Sequence, residues 1–114
     1  MRIISGKYKG YLIETVNDSS TRPMMSKARE GIFNTLQNEF NNSTVLDLYA
    51  GSGSLGIESL SRGADFVTFI ELSTKCSKII NKNLQNMEVN FTVLKTRVNE
   101  YINQSHEKFD IIFY

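Results

Sequence analysis

The sequence predicts an α/β fold with a doubly wound parallel sheet. Short apolar runs of strand length alternate with stripes of helical period from residue 44 onward. The first run ends in a cluster of glycines, and the resulting order βαβαβαβ is the one that crossover helices impose on parallel strands. With 114 residues, 40% of them apolar and 22% charged, the chain holds one domain at most and lies outside the composition range of disordered chains.

Residues 2–16 alternate loosely, with turn chemistry at Lys9-Gly10, and read as a short hairpin; Asn17-Asp18-Ser19-Ser20 reads as a loop. Pro23 precedes Ser26, a good N-cap. Ala28, Ile32, Phe33, Leu36 and Phe40 then recur at helical spacing until Asn41-Asn42 stops the pattern. Val45-Leu46-Asp47-Leu48-Tyr49 is a strand buried on both faces. A helix over roughly 54–62 is ended by Gly63. Phe66 to Ile70 forms the second strand, and Cys76, Ile79, Ile80 and Leu84 mark the inner stripe of the next helix. Phe91 to Leu94 is the third strand, Val98 to about Gln104 a short helix, and Phe109 to Tyr114 the fourth strand. That last strand carries Ile111, Ile112, Phe113 and Tyr114 with no covering helix after it, so the chain is expected to be the N-terminal part of a longer domain whose C-terminal strands it lacks.

A net charge of +1 hides an asymmetry. Residues 1–30 carry six basic groups (Arg2, Lys7, Lys9, Arg22, Lys27, Arg29) against three acidic ones, and the remainder carries seven against nine. Basic residues interleaved with Tyr8 and Tyr11 suit contact with phosphates and stacking on bases; a solvated hairpin surface would look the same. One Cys excludes a disulfide framework, and Cys76 has no nearby partner for a zinc site, so a buried thiol in a reducing compartment is expected. The N-terminus has no apolar stretch of about 7 to 15 residues, and no run approaches a membrane span; a cytoplasmic location is expected.

The chemistry concentrates in Val45-Leu46-Asp47-Leu48-Tyr49-Ala50-Gly51-Ser52-Gly53-Ser54-Leu55-Gly56. This is a G-x-G-x-x-G between a strand and a helix, the context in which that pattern binds a nucleotide-like cofactor. Gly51 is expected to permit the tight turn, Gly53 to let a ligand approach the backbone, and Gly56 to let helix and strand pack closely. A dinucleotide brings a pyrophosphate that Asp47, four residues before Gly51, would repel. S-adenosylmethionine (SAM) has no phosphate and carries an ammonium and a sulfonium, so Asp47 favours SAM over NAD. Glu71, at the end of the second strand, is placed to accept both ribose hydroxyl hydrogen bonds; a solvent-facing Glu71 and an Asp47 that only ties the loop are the alternative.

The run Asp47 to Glu58, followed by Leu60-Ser61-Arg62-Gly63-Ala64, resembles the RsmD-type methyltransferases of bacterial small-subunit rRNA. Arg2-Ile3-Ile4-Ser5-Gly6-Lys7-Tyr8-Lys9-Gly10 is similar to the N-terminal hairpin of that family, and Thr21-Arg22-Pro23 with Arg29-Glu30-Gly31-Ile32-Phe33-Asn34 is similar to its first helix. The resemblance implies a Rossmann-like SAM-dependent methyltransferase fold. Residues 1–43 would form the hairpin and first helix facing RNA or cofactor, and residues 44–114 the first half of the SAM-binding part of one continuous domain. It implies methyl transfer from SAM to the exocyclic N2 amine of a guanine in 16S rRNA, in the small ribosomal subunit or its assembly intermediate, by a protein that is a monomer at full length, without a metal or a membrane. Asp47 and the loop Ala50-Gly51-Ser52-Gly53, with Gly56, would hold the methionine part of SAM and Glu71 its ribose. Arg2, Lys7, Lys9, Thr21, Arg22 and Arg29 would lie against RNA or over the cofactor, unless Arg22 and Arg29 only position phosphates or cap the helix.

Two departures qualify the resemblance. Where the family places Asp or Asn after the third strand to contact the adenine amine, this chain has Arg97, which has no acceptor; backbone groups around Val98 are then expected to hold the adenine. The catalytic signature, Asp or Asn followed by Pro-Pro and an aromatic, belongs directly after the fourth strand and is expected beyond Tyr114. No catalytic residue is therefore assigned within the 114, His106 reads as a solvated loop residue, and the chain by itself is expected to be inactive. An adenine-N6 DNA or RNA methyltransferase, a NAD-dependent oxidoreductase and a noncatalytic SAM- or RNA-binding module are the alternatives.

Overall fold

The periodicity read from the sequence reappears as four strands and four helices in the computed structural model, which describes residues 1–15 and 26–114. Thr21, Arg22 and Pro23 lie outside the described residues. The elements run α1 (Ser26–Thr35), β1 (Thr44–Leu48), α2 (Ser54–Ser61), β2 (Phe66–Ile70), α3 (Thr74–Leu84), β3 (Phe91–Leu94), α4 (Val98–Gln104) and β4 (Ile111–Phe113). The sheet order is β3-β2-β1-β4, all parallel. Chain order reverses at β1, so the crevice beyond the carboxyl ends of the strands is where a ligand is expected to sit.

Alternation along each strand sends side chains to two cores. Val45, Val67, Phe69 and Phe113 pack with Phe33 and Phe40, with Ile57 and Leu60 of α2, and with Ile80 and Leu84 of α3. Leu46, Leu48 and Ile70 face the other way, onto Val98, Tyr101 and Phe109. Each large apolar side chain buried this way contributes about 1.5 to 3 kcal/mol. Gly56 is a packing device, as expected: a Cβ there would stand 2.3 Å from Phe69 Cε1 on β2.

Two expectations change. The helix expected to reach Phe40 ends at Thr35, because its last turn tightens: Glu39 N–H bonds to the Leu36 carbonyl three residues back. Phe40 still reaches the core and packs 4.9 Å from Phe33. The hairpin is reduced to one antiparallel bridge, Arg2 with Leu12, and its turn runs through Ser5 to Gly10, with positive φ at Gly6 and Gly10, instead of sitting at Lys9-Gly10 alone.

Ile3, Tyr8 and Ile13 bury the hairpin's apolar side in the first core, and polar contacts fix its position. The Glu58 carboxylate, wholly buried on α2, accepts hydrogen bonds from the N–H groups of Ile4 (2.9 Å) and Ser5 (3.1 Å) and from Arg62 Nε (3.0 Å). Ser61 adds three more contacts: its carbonyl accepts from Lys7 N–H, its hydroxyl accepts from Tyr8 N–H, and the same hydroxyl donates to the Ser5 carbonyl. The fit leaves no room at Gly6, where a Cβ would collide with the Ser61 carbonyl. Replacing Glu58 by Ala should cost about 3 to 5 kcal/mol in urea unfolding, because Arg62 and two hairpin amides lose their buried acceptor and Arg29 loses a nearby opposite charge; a loss under about 1 kcal/mol would show that the remaining contacts hold the hairpin without it.

Candidate functional site

The loop between β1 and α2 carries three left-handed residues in five positions: Tyr49 at φ 56°, Gly51 at 60° and Gly53 at 86°. Gly53 caps α2 and has no side chain to do it with. Asp47 takes over that task from β1: its Oδ2 accepts the Gly56 N–H at 3.1 Å, one of the amides a helix leaves without an intrahelical partner. A carboxylate at a helix N-terminus is favoured by the helix dipole. Asp47 is nevertheless 1% exposed, and burial pushes its carboxyl up to about 7, with the Gly56 bond opposing and the Glu71 charge adding to the rise.

Glu71 closes the loop from the other side. Its Oε1 accepts the Gly51 N–H at 2.8 Å and its Oε2 the Ser73 N–H at 2.8 Å. Of about four lone-pair sites on the carboxylate, two stay free for a ligand. The reach across from β2 is fixed by register. Leu48 pairs with Ile70, and the next amide along, that of Ala50, donates to the Ile70 carbonyl.

A cleft of 310 Å3 lies at the carboxyl ends of β1, β2 and β3, within the volume range of small-molecule sites. Tyr49, Glu71 and Leu72 line one side, and Thr96, Arg97, Val98 and Asn99 the other. Of the residues the sequence singled out for a cofactor, Glu71 and Val98 thus reach the cleft wall. Gly51 stands at its edge through Glu71, while Ala50 and Ser52 are packed within the loop. Asp47 and Gly56 lie behind the loop.

Gly53 needs a different explanation from close ligand approach. A Cβ there would point at Ile57, Phe69 and Ile80 at 3.1 to 3.3 Å, so the glycine serves the core and the positive φ. Sequence reasoning missed Tyr49, Leu72, Thr96 and Asn99 as cleft residues. Tyr49, a left-handed aromatic inside the glycine motif that is 69% exposed, is the one its position could have signalled.

The cations of the N-terminal part separate. Arg2, Lys7 and Lys9 are exposed; Arg2 Nη1 donates to the Gly10 carbonyl and Lys7 stands over the Tyr8 ring. Arg29 is not a surface cation: it is 1% exposed, and its Nη2 donates to the Arg2 carbonyl at 2.8 Å. Burial lowers its pKa, with the Glu58 charge opposing. The expectation that Arg29 faces RNA or cofactor fails because its guanidinium is used inside, beneath the hairpin. Among the described residues there is no cluster of three metal-ligating side chains and no helix long and apolar enough to cross a membrane.

The sequence profile of the family described as Conserved hypothetical protein 95 matches residues 1–114, the whole chain. The chain belongs to this family. Ribosomal RNA small subunit methyltransferase D of Haemophilus influenzae is 39% identical over 105 residues, 92% of this chain and 52% of that protein. The protein of the same name from Buchnera aphidicola subsp. Acyrthosiphon pisum is 37% identical over 113 residues, 97% of this chain and 59% of that protein. The solved structure of yhhF from Escherichia coli matches with a TM-score of 0.87 at 30% identity, over 98% of this chain and 60% of that one. This chain therefore spans between half and three-fifths of the length of these family relatives. The RsmD-type resemblance and the Rossmann-like α/β fold read from the sequence are borne out by these matches.

Because burial raises the Asp47 carboxyl to about 7 from an unfolded value near 3.9, the folded chain binds more protons than the unfolded one between those values. Its contribution to stability is present in full below about pH 4 and is lost as pH rises through about 7. Asp47→Asn keeps an acceptor for Gly56 and cannot ionise. In urea unfolding it should therefore exceed the parent at pH 8, by up to about 4 kcal/mol, and the gap should close toward pH 4. A gap that does not change with pH would place the strain elsewhere.

Proposed function

We propose that this chain is the SAM-binding part of an enzyme that methylates the exocyclic N2 amine of a guanine in small-subunit ribosomal RNA. The observation that carries the reading is the Glu71 carboxylate, anchored by Gly51 and Ser73 at the cleft wall with acceptor capacity left over. That is what a ribose diol asks for. The names of the relatives, which specify ribosomal RNA of the small subunit, support the substrate class.

The residues fit the cofactor on charge as well as on shape. Two carboxylates, Asp47 and Glu71, flank the glycine loop, an arrangement hostile to a pyrophosphate and suited to an ammonium and a sulfonium. Bound SAM supplies an electrophilic methyl group. Glu71 accepts the ribose hydroxyls, the backbone around Val98 holds the adenine edge in place of the acceptor that Arg97 lacks, and the 50–53 loop seats the methionine end with Asp47 behind it. The guanine amine is a poor nucleophile, its lone pair delocalised into the ring, so holding it in line with the methyl group supplies most of the rate. We place the groups that orient this amine after β4 in the longer relatives; within residues 1–114 the assigned work is to bind and orient the donor.

Calorimetry on the chain with SAM and with NADH tests the reading. SAM should bind and NADH should not. Glu71→Ala should weaken SAM about a hundredfold, the worth of two hydrogen bonds to a charged group; unchanged affinity, or tighter NADH, would remove the reading. A cation arriving near Asp47 favours its ionised form, so binding should expel a proton, and affinity should rise with pH up to about 7 and then level off. Cells lacking the gene should yield small-subunit rRNA short of an N2-methylguanosine on nucleoside analysis; loss of an N6-methyladenosine instead would favour the adenine alternative.

A further inference from the structure

The face of α3 turned away from the sheet has no part in the site described above, and its charge is one-sided. Lys75, Lys78 and Lys82 are exposed on it and fall within about a 60° arc at 100° per residue. The helix contains no acidic residue. Lys82 meets Glu14 at 2.7 Å, while Lys75 and Lys78 have no carboxylate within ion-pair distance among the described residues. A row of cations that repel one another is a cost to the fold unless something anionic lies along it.

What stands at the two ends of the row indicates what that is. At the C-terminal end a groove separates α3 from the hairpin, with Tyr11, Leu12, Lys82 and Met87 among its walls. Tyr11 is 47% exposed and Leu12 67%, a large apolar outlay for a surface of this size. Tyr11 is not loose: buried Tyr8 braces it edge to face at 5.3 Å, and Asn83 of α3 holds both backbone groups of Glu14. At the N-terminal end, Ser73 caps α3 and its N–H bonds Glu71, the ribose candidate of the cleft. The row of lysines thus runs for about 10 Å between a braced, exposed aromatic ring and the mouth of the cofactor cleft. A ring for stacking followed by spaced cations is the pattern that binds single-stranded nucleic acid.

We propose that α3 and the groove beside Tyr11 form an RNA track: one unpaired base stacks on Tyr11, and the phosphates that follow lie on Lys82, Lys78 and Lys75, leading the strand toward the methyl donor. The proposal rests on the rRNA reading above and adds to it a surface that the hairpin cations Arg2, Lys7 and Lys9 do not define.

The test is fluorescence anisotropy of the chain with a fluorescein-labelled single-stranded RNA dodecamer at several concentrations between about 50 and 200 mM salt. The Lys75→Gln, Lys78→Gln double variant should flatten the plot of log affinity against log salt by about 1.4 units, the share of two phosphate contacts on a single strand. Tyr11→Ala should weaken binding about tenfold with the slope kept. Lys108→Gln, in the loop before β4, should change neither. All three variants should bind SAM as the parent does, which separates a lost track from a damaged fold. Parent-like slope and affinity in the double variant would overturn the track while leaving the rRNA reading in place. No RNA binding by the parent chain would overturn the track as well, while the rRNA reading is decided separately by the nucleoside analysis.

Discussion

The fold depends on one buried carboxylate. Without Glu58 the first fifteen residues would keep one bridge, the Ser61 bonds and the buried side chains of Ile3, Tyr8 and Ile13, but the amides at the bend would have no acceptor. Glu58 converts the amides of Ile4 and Ser5, which a bent chain cannot pair in a ladder, into satisfied donors. It also brings Arg62 of α2 and the buried charge of Arg29 of α1 to the same point. Buried ions are costly, and the cost is recovered only when hydrogen bonds are complete. The Glu58 carboxylate meets this condition, and the close approach of Gly6 to the Ser61 carbonyl fixes the register in which the hairpin docks.

This constraint reaches the candidate cofactor site through α2. The same eight-residue helix that holds the hairpin at Glu58 and Ser61 receives Asp47 at its first turn. Its position against the sheet is set by Gly56, whose missing Cβ lets Phe69 and Val67 come within contact. Nearly all of α2 is buried, Ser54, Ser59 and Ser61 included, because it is covered by strands on one side and by the hairpin and α1 on the other. Asn83 adds a second link, joining Glu14 of the hairpin to the Ser52 carbonyl of the glycine loop at 3.3 Å. Hairpin and loop consequently behave as parts of one body.

How much of this the sequence disclosed follows from the kind of signal each feature leaves. Strands β1 to β3 and helices α2 to α4 appear within a residue or two of their expected places, because buried parallel strands are continuous apolar runs and the helical stripe of Cys76, Ile79, Ile80 and Leu84 is regular. Glu71 was legible through its spacing from Gly51. Glu58 and Arg29 were not legible as buried: nothing local distinguishes a charged residue under a hairpin from one in water, and the carboxylate's partners are fifty residues away in the chain. Gly53 misled for a related reason. The motif states where glycine is required, and only the fold shows whether the space it leaves faces a ligand or Ile80.

Asp47 poses the sharpest conflict between stability and function. To cap α2 it needs only to accept one hydrogen bond, which an asparagine oxygen does equally well and without a carboxyl pushed up to about 7. The helix dipole favours the charge and burial opposes it. On the proposed SAM reading, a cation beside the loop would stabilise the ionised form and offset the Glu71 repulsion that raises it further. If the proposed reading holds, the acidic pair at the glycine loop would favour cationic over phosphate-bearing nucleotides, and the charge that burial makes costly to the fold would be the one that sets the selectivity.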